Sequence, residues 1–256
     1  MENSFVYQQA GKKLSANTLK TIAIIAMIMD HIAYIFLPAD STLYICMRSI
    51  GRITGPVMFY FVAEGYHHTS NANRYTLRLG IFALISYVPF IYCFHEALPN
   101  ATNFYNLNVI YTLFLGLLLI RMRHEMKQSF LKYLIMAILF LLCYFGDWYY
   151  LAPVIILLFD FYYGDFKKQA FAYCIVVFFQ VATTVFYPLQ QLMSGSALDW
   201  NRVTNNLYKF GMILPLILLA HYNGKKGASN KFSKWGFYVI YPLHLMILGL
   251  IHQYLV

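Results

Sequence analysis

Asp30 and His31 stand side by side in "AMIMDHIAYIF", deep inside an otherwise apolar run. An unpaired Asp at the centre of a membrane helix costs roughly 2.5 to 3.5 kcal/mol on insertion scales, so this pair needs a partner. The next apolar run supplies Arg48 and Arg52, which share a helical face at i, i+4. A carboxylate that fixes a guanidinium would leave the neighbouring imidazole to serve as a general base near neutral pH. Adjacent residues point about 100° apart on a helix, so Asp30 and His31 do not make a simple acid–base dyad with each other. Asp30 is expected to hold an arginine while His31 faces a cavity. The alternative is a buried polar network of Asp30, His31 and Arg52 that merely locks the helices.

A second mid-membrane candidate is His244 in "YVIYPLHLMIL", with Tyr241 one turn back and Pro242 opening the backbone locally. Asn106, Asn108 and Asp147 could line an outward vestibule, or serve as caps and turn residues, which Asn and Asp favour. The stretch "FVAEGYHHTSNANRYTLRLG" carries another polar group. Glu64 and His68 are i, i+4 if the helix continues, and Arg74 and Arg78 share a face of the next helix. Guanidinium groups at such an opening suit a phosphorylated ligand, which they bind bidentately. Loop topology and contact with lipid phosphates explain the same two arginines equally well.

What positions these residues follows from composition. With 60% hydrophobic and 11% charged residues, the chain lies far below the roughly 25% charge of a soluble domain. It reads as an all-α, multi-pass membrane bundle. The 23 Tyr and 22 Phe suit interfacial belts and helix packing. Cys46, Cys93, Cys143 and Cys174 sit singly, with no CxxC or His spacing for metal, so they read as packing residues and no metal is expected. A net charge of +9 would suit nucleic acid only if a soluble face gathered the basic residues, and here they fall in short loops. No nucleic-acid partner is expected, and the polar start "MENSFVYQQAGKKLSANTLK" shows no cleavable signal.

A bilayer core takes about 17 to 25 residues per helix, which marks candidate spans at 18–37, 43–64, 75–97, 107–121, 130–146, 148–163, 169–188, 206–222 and 235–255. The fifth and sixth are short and joined by "FGDWYY", a plausible tight hairpin, so about eight to ten spans all fit. Alternate connections carry Lys12, Lys13 and Lys20; Arg74 and Arg78; Arg121, Arg123, Lys127 and Lys132; Lys167 and Lys168; and Lys225, Lys226, Lys231 and Lys234. The opposite side holds Arg202, with Lys209 at a helix end. The positive-inside rule therefore places the N-terminus in the cytoplasm. No repeat or soluble segment is visible, and residues 1–256 read as one transmembrane domain.

Helix rise turns these spans into depths. Asp30 falls roughly 10 Å below the outer surface, Arg48 roughly 8 Å and Arg52 roughly 14 Å, so the acid is bracketed by the bases. Gly51 and Gly55 form a small-xxx-small pattern that permits close helix approach. Asp30 should pair with Arg52 or Arg48 across a tight antiparallel hairpin.

The ordered set "AMIMDHIAYIF", "MRSIGRITGPVMFYFVAEGYHHTSN", "RYTLRLGIFALISYVPF" and "YVIYPLHLMILGL" resembles the TraX family of bacterial polytopic proteins along essentially the whole chain. The shared pattern is DHI, then Gly51, Arg52 and Pro56, then Glu64 and Gly65, then Tyr-Pro-x-His near the C-terminus. The resemblance implies a membrane acyltransferase in the bacterial cytoplasmic membrane. The founding member of TraX-like proteins is associated with acetylating the N-terminus of a conjugative pilin subunit, and the family looks distantly similar to multi-span O-acetylases of surface glycans. Those enzymes take acetyl from cytoplasmic acetyl-CoA and use an intramembrane histidine. Carried over, Asp30, His31, Arg52, Glu64 and His244 match the polar positions of the pattern.

On that footing acetyl-CoA is the expected acyl donor, with its phosphates near Arg74 and Arg78 and with Glu64 and His68 at the same cytoplasmic mouth. The acceptor would be an amine or hydroxyl of a peptide, glycan or lipid reached from outside. His31 or His244 would act as base and Arg52, held by Asp30, would stabilise the oxyanion. No Ser-His-Asp or Cys-His constellation is readable, so direct transfer is favoured, with an acyl-histidine intermediate as the alternative. The rival readings are a transporter or flippase using the buried charges as a relay, and an assembly subunit with a structural polar core.

Overall fold

A computed structural model describes residues 13–195, 200–228 and 231–255, excluding the side chains of 185, 201, 202 and 231–234. Lys12 and the side chains of Arg202, Lys231 and Lys234, used above for orientation, lie outside the described residues. Among the described residues every regular element is helical: α1 (Ala16–Phe36), α2 (Thr42–Gly51), α3 (Thr54–His68), α4 (Ala72–Ile85), α5 (Tyr87–His95), α6 (Val109–Glu125), α7 (Phe130–Leu142), α8 (Leu151–Phe161), α9 (Phe166–Met193), α10 (Trp200–Thr204), α11 (Leu214–Ala220) and α12 (Lys231–Leu255), with 3-10 turns at Cys143–Phe145 and Leu207–Ile213. Ala16–Phe36, Ala72–His95, Phe166–Met193 and Trp235–Leu255 are long and apolar enough to cross a membrane, and shorter apolar helices accompany them. The protein is an all-α polytopic membrane protein.

Two spans that read as continuous are broken, and proline explains both. A proline ring lacks an N–H and collides with the carbonyl four residues back. Pro56 and Pro89 sit in the first turns of α3 and α5; the carbonyls four residues back are those of Arg52 and Ile85, and the breaks fall at Arg52 and Ser86. Pro153 likewise sits in the first turn of α8, which leaves a tight hairpin from α7. In that turn Trp148 (φ 66°) and Tyr149 (φ 42°) adopt the left-handed conformation, at a cost of order 1 kcal/mol each. Pro242, by contrast, lies inside an α12 that runs through it.

The chain divides into two compact units. The first comprises residues 1–57 and 174–237. In it α1 and α2 pack as an antiparallel hairpin, and the 3-10 turn at Leu207–Ile213 lies against α2. A Cβ at Gly211 would fall 2.1 Å from the Ser49 carbonyl oxygen, so only glycine permits this approach. Ser15 caps α1 by accepting from the Thr18 amide (3.2 Å), and the amides of Ala16 and Asn17 donate to the Lys225 and Lys226 carbonyls. The free N–H groups at the helix start are thereby satisfied by a distant loop.

The second unit comprises residues 58–173 and 238–256. Its centre is α6, which packs against α4, α7 and α8. Leu113, Leu115, Leu117, Leu119 and Ile120 are all buried, so α6 is apolar on every side, as a surrounded helix must be. Asn108 caps it, accepting from the Tyr111 amide (3.2 Å) and donating to the Ala83 carbonyl (2.8 Å).

Candidate functional sites: a buried acid with two arginines, and an acid with two histidines

In the first unit, Asp30 sits in the last third of α1 with only 10% of its side chain exposed. It accepts from Arg48 Nη1 at 2.6 Å and from Arg52 Nη2 at 3.1 and 3.2 Å. The sequence left open which arginine pairs with the acid, and the structure brings in both. The ends of α2 and the hairpin make this possible: a Cβ on Gly51 would fall 2.1 Å from Asp30 Oδ1, so the carboxylate occupies the space a side chain would take. Thr54 Oγ1 donates to the Ala23 carbonyl (2.8 Å) and fixes the chain just past the break.

Aromatic rings enclose the guanidinium groups. Arg48 lies 5.1 Å from the ring centroids of Tyr34 and Tyr208 and 5.8 Å from that of Tyr44, and Arg52 lies 5.1 Å from Tyr208. These cation–π contacts add to the pairing. Two guanidinium groups thus face one carboxylate. Arg48 Nε is buried without a hydrogen-bond partner among the described residues. His31, half-buried, occupies the next position on α1.

The second unit holds the remaining residues singled out by sequence. Helix α3 continues far enough for His68 Nε2 to reach Glu64 Oε1 at 3.2 Å, and Tyr163 Oη lies 3.2 Å from the same nitrogen. Arg74 is exposed, and its amide donates to the Asn71 cap (2.8 Å). Arg78 is half-buried, 5.9 Å from the Tyr75 ring, with its Nε buried and unpartnered among the described residues. His244 is buried, and its Nδ1 lies 2.9 Å from the Ile240 carbonyl oxygen. A carbonyl only accepts, so Nδ1 carries the proton and Nε2 is the acceptor nitrogen. Tyr241 shares the face as expected, its ring edge-on to the imidazole at 5.5 Å. Asn106, Asn108 and Asp147 hold local roles: Asn106 bonds His95 (3.2 Å), Asn108 is the cap of α6, and Asp147 accepts from the Trp148 amide (2.9 Å).

Sequence reasoning missed a cluster centred on Asp160, near the C-terminus of α8. This carboxylate is fully buried and accepts from Arg123 Nη1 at 2.5 Å. His67 Nε2 lies 2.7 Å from its Oδ1, and His124 Nε2 lies 3.0 and 3.1 Å from its two oxygens. The Tyr163 ring stacks on His67 at 3.8 Å, and Tyr66 lies 5.4 Å from His124. Lys132, also buried, donates to the Arg123 and Met126 carbonyls (2.7 and 3.2 Å) and so closes the end of α6. Just beyond, hydrogen bonds from Arg121 hold the Glu125 carboxyl below its usual range. A usable signal did exist: Asp160 interrupts the apolar run "IILLFDF", as Asp30 interrupts its own.

Residues 15–252 match a family described as TraX protein. The chain is also 31% identical, over 241 residues, to the "Probable fimbrial assembly protein FimC, serogroup H1" of Dichelobacter nodosus, a match covering 91% of this chain and 94% of that protein. No solved structure matches it.

Proposed function

The chain belongs to the TraX family, and from that premise we propose that it is an acyltransferase of the bacterial cytoplasmic membrane. It moves acetyl from cytoplasmic acetyl-CoA to an amine or hydroxyl reached from the outer side. The observation that carries this reading is the pairing of Asp30 with both Arg48 and Arg52, next to His31 on the same helix. A site that must stabilise a transient oxyanion needs donors that are already in place, and guanidinium groups held by a buried carboxylate meet that condition.

Bound acetyl-CoA supplies the thioester. His31, on the same helix as Asp30, takes the proton as the acceptor's nitrogen or oxygen attacks the carbonyl carbon. Arg52 and Arg48 stabilise the oxyanion. When the carbon–sulfur bond breaks, the imidazole returns its proton to the departing thiolate. Arg78, with its unpartnered buried Nε, suits a phosphate of the donor, and exposed Arg74 and the Glu64–His68 pair lie in the same unit. The name of the Dichelobacter relative makes a fimbrial subunit the first acceptor to test.

Mass spectrometry of surface proteins, glycans and lipids from cells with and without this chain tests the proposal. Loss of one acetyl increment from a defined acceptor is expected, together with CoA binding by the purified protein. An unchanged profile with no donor binding overturns it, and substrate flux into liposomes without donor consumption would replace it with transport.

A further inference from the structure

The cluster around Asp160 is unused by the acyl-transfer reading, yet its geometry is demanding. Three helices converge there: α3 through His67, α6 through His124, and α8 through Asp160. Each offers one ligand atom, and these atoms all lie within 4.8 Å of one another. We propose that His67, His124 and Asp160 form a binding site for one divalent transition-metal ion of the zinc class.

The donor set selects the class of ion. Two imidazole nitrogens and one carboxylate oxygen suit zinc and its first-row neighbours, whereas magnesium and calcium take oxygen alone. Spacing agrees. Metal–ligand bonds of about 2.0 to 2.1 Å in a tetrahedron put ligand atoms about 3.3 Å apart. His67 Nε2 and His124 Nε2 lie 2.7 and 3.0 Å from Asp160 Oδ1, and with all three ligand atoms within 4.8 Å of one another the set is compact enough to close on one ion. The imidazole planes are perpendicular (90°), with centroids 5.4 Å apart.

The surroundings hold these ligands in place. Arg123 Nη1 donates to Asp160 Oδ2 (2.5 Å) and lies 3.1 Å from His124 Nε2, so an ion on Oδ1 takes that nitrogen from the guanidinium while Arg123 keeps Oδ2 and fixes the carboxylate plane. Tyr163 stacked on His67 sets that ring's orientation. The acid is fully buried, but His67 and His124 keep 20% and 35% of their side chains exposed, so the site opens on its histidine side. Three protein ligands leave a coordination position for water or an anion.

The test uses full-length protein purified in detergent without a polyhistidine tag, stripped with chelator and titrated with zinc, with cobalt(II) absorption as a second readout. About one equivalent per chain should bind. His67→Gln, His124→Gln and Asp160→Asn should each weaken binding by more than about 100-fold, beyond the effect of losing an outer-shell partner. His221→Gln, at an exposed turn, should leave it unchanged. His124→Gln alters a side chain that is partly in solvent, so it reports on binding even if Asp160→Asn fails to fold. Folded wild-type protein that takes up no zinc overturns the proposal, as does uptake that survives His124→Gln. Neither outcome bears on acyl transfer.

Discussion

Asp30 lies directly over Gly51: its Oδ1 stands 2.1 Å from where a glycine-to-alanine change would place a methyl group. The carboxylate meets Arg48 and Arg52 because α2 carries no side chain at that one point.

Gly51→Ala should therefore expel the acid from its pocket. Overpacking of this kind costs about 1 to 3 kcal/mol. A lowered thermal midpoint in detergent is expected, with Gly55→Ala as a milder comparison. Wild-type stability in Gly51→Ala would show that the hairpin yields easily.

Charge counting predicts an order of severity within the cluster. Asp30→Asn removes the carboxylate that both guanidinium groups share, whereas Arg48→Met or Arg52→Met leaves Asp30 paired with the other arginine. Breaking a buried pair costs about 3 to 5 kcal/mol, so Asp30→Asn should be the most destabilising of the three. Thermal melts of the set measure this, and an arginine variant melting below Asp30→Asn would contradict it.

If an imidazole accepts the acceptor's proton, replacing it should lower turnover by about 10² to 10⁴ while leaving CoA affinity intact. His31→Ala and His244→Ala, assayed for thioester consumption and for donor binding, identify which ring acts. Wild-type turnover in both variants would remove histidine from the mechanism.

Arg78 and Arg74 should separate in donor binding. Arg78 is half-buried with an open donor, so Arg78→Gln should lose about 1.5 to 3 kcal/mol, the usual worth of a hydrogen bond to a charged group. Arg74 is exposed, and Arg74→Gln should lose less than about 1 kcal/mol. Calorimetry with CoA would detect the reverse order.

Glu125 introduces a modest acid sensitivity. Its carboxyl is held below the ordinary 4.5 by Arg121, so the stability it adds is present above that value and is lost as pH falls through the lower folded value. The pair is partly exposed and its effect is small. Glu125→Gln should flatten the acid limb of a melting profile, and an unaltered limb would show that the pair adds nothing.

Helix α1 and the approach of Arg48 and Arg52 to Asp30 were legible because the two spans are consecutive: helical rise converts position into depth, and a short connection forces antiparallel neighbours. The same ruler missed the interruptions at Arg52 and Ser86, since apolar content does not register the collision of Pro56 and Pro89 with the carbonyls of Arg52 and Ile85, four residues back.

By itself the sequence determined the membrane class, the helical period and the depth of each ionisable residue, all of which are local properties. Only the tertiary structure decided that His67 and His124, 93 and 36 residues from Asp160, share one carboxylate. Depth along a helix is written in hydropathy, but which helices stand side by side depends on packing between spans that are not consecutive, such as the fit of Gly116 on α6 against Ile156 on α8.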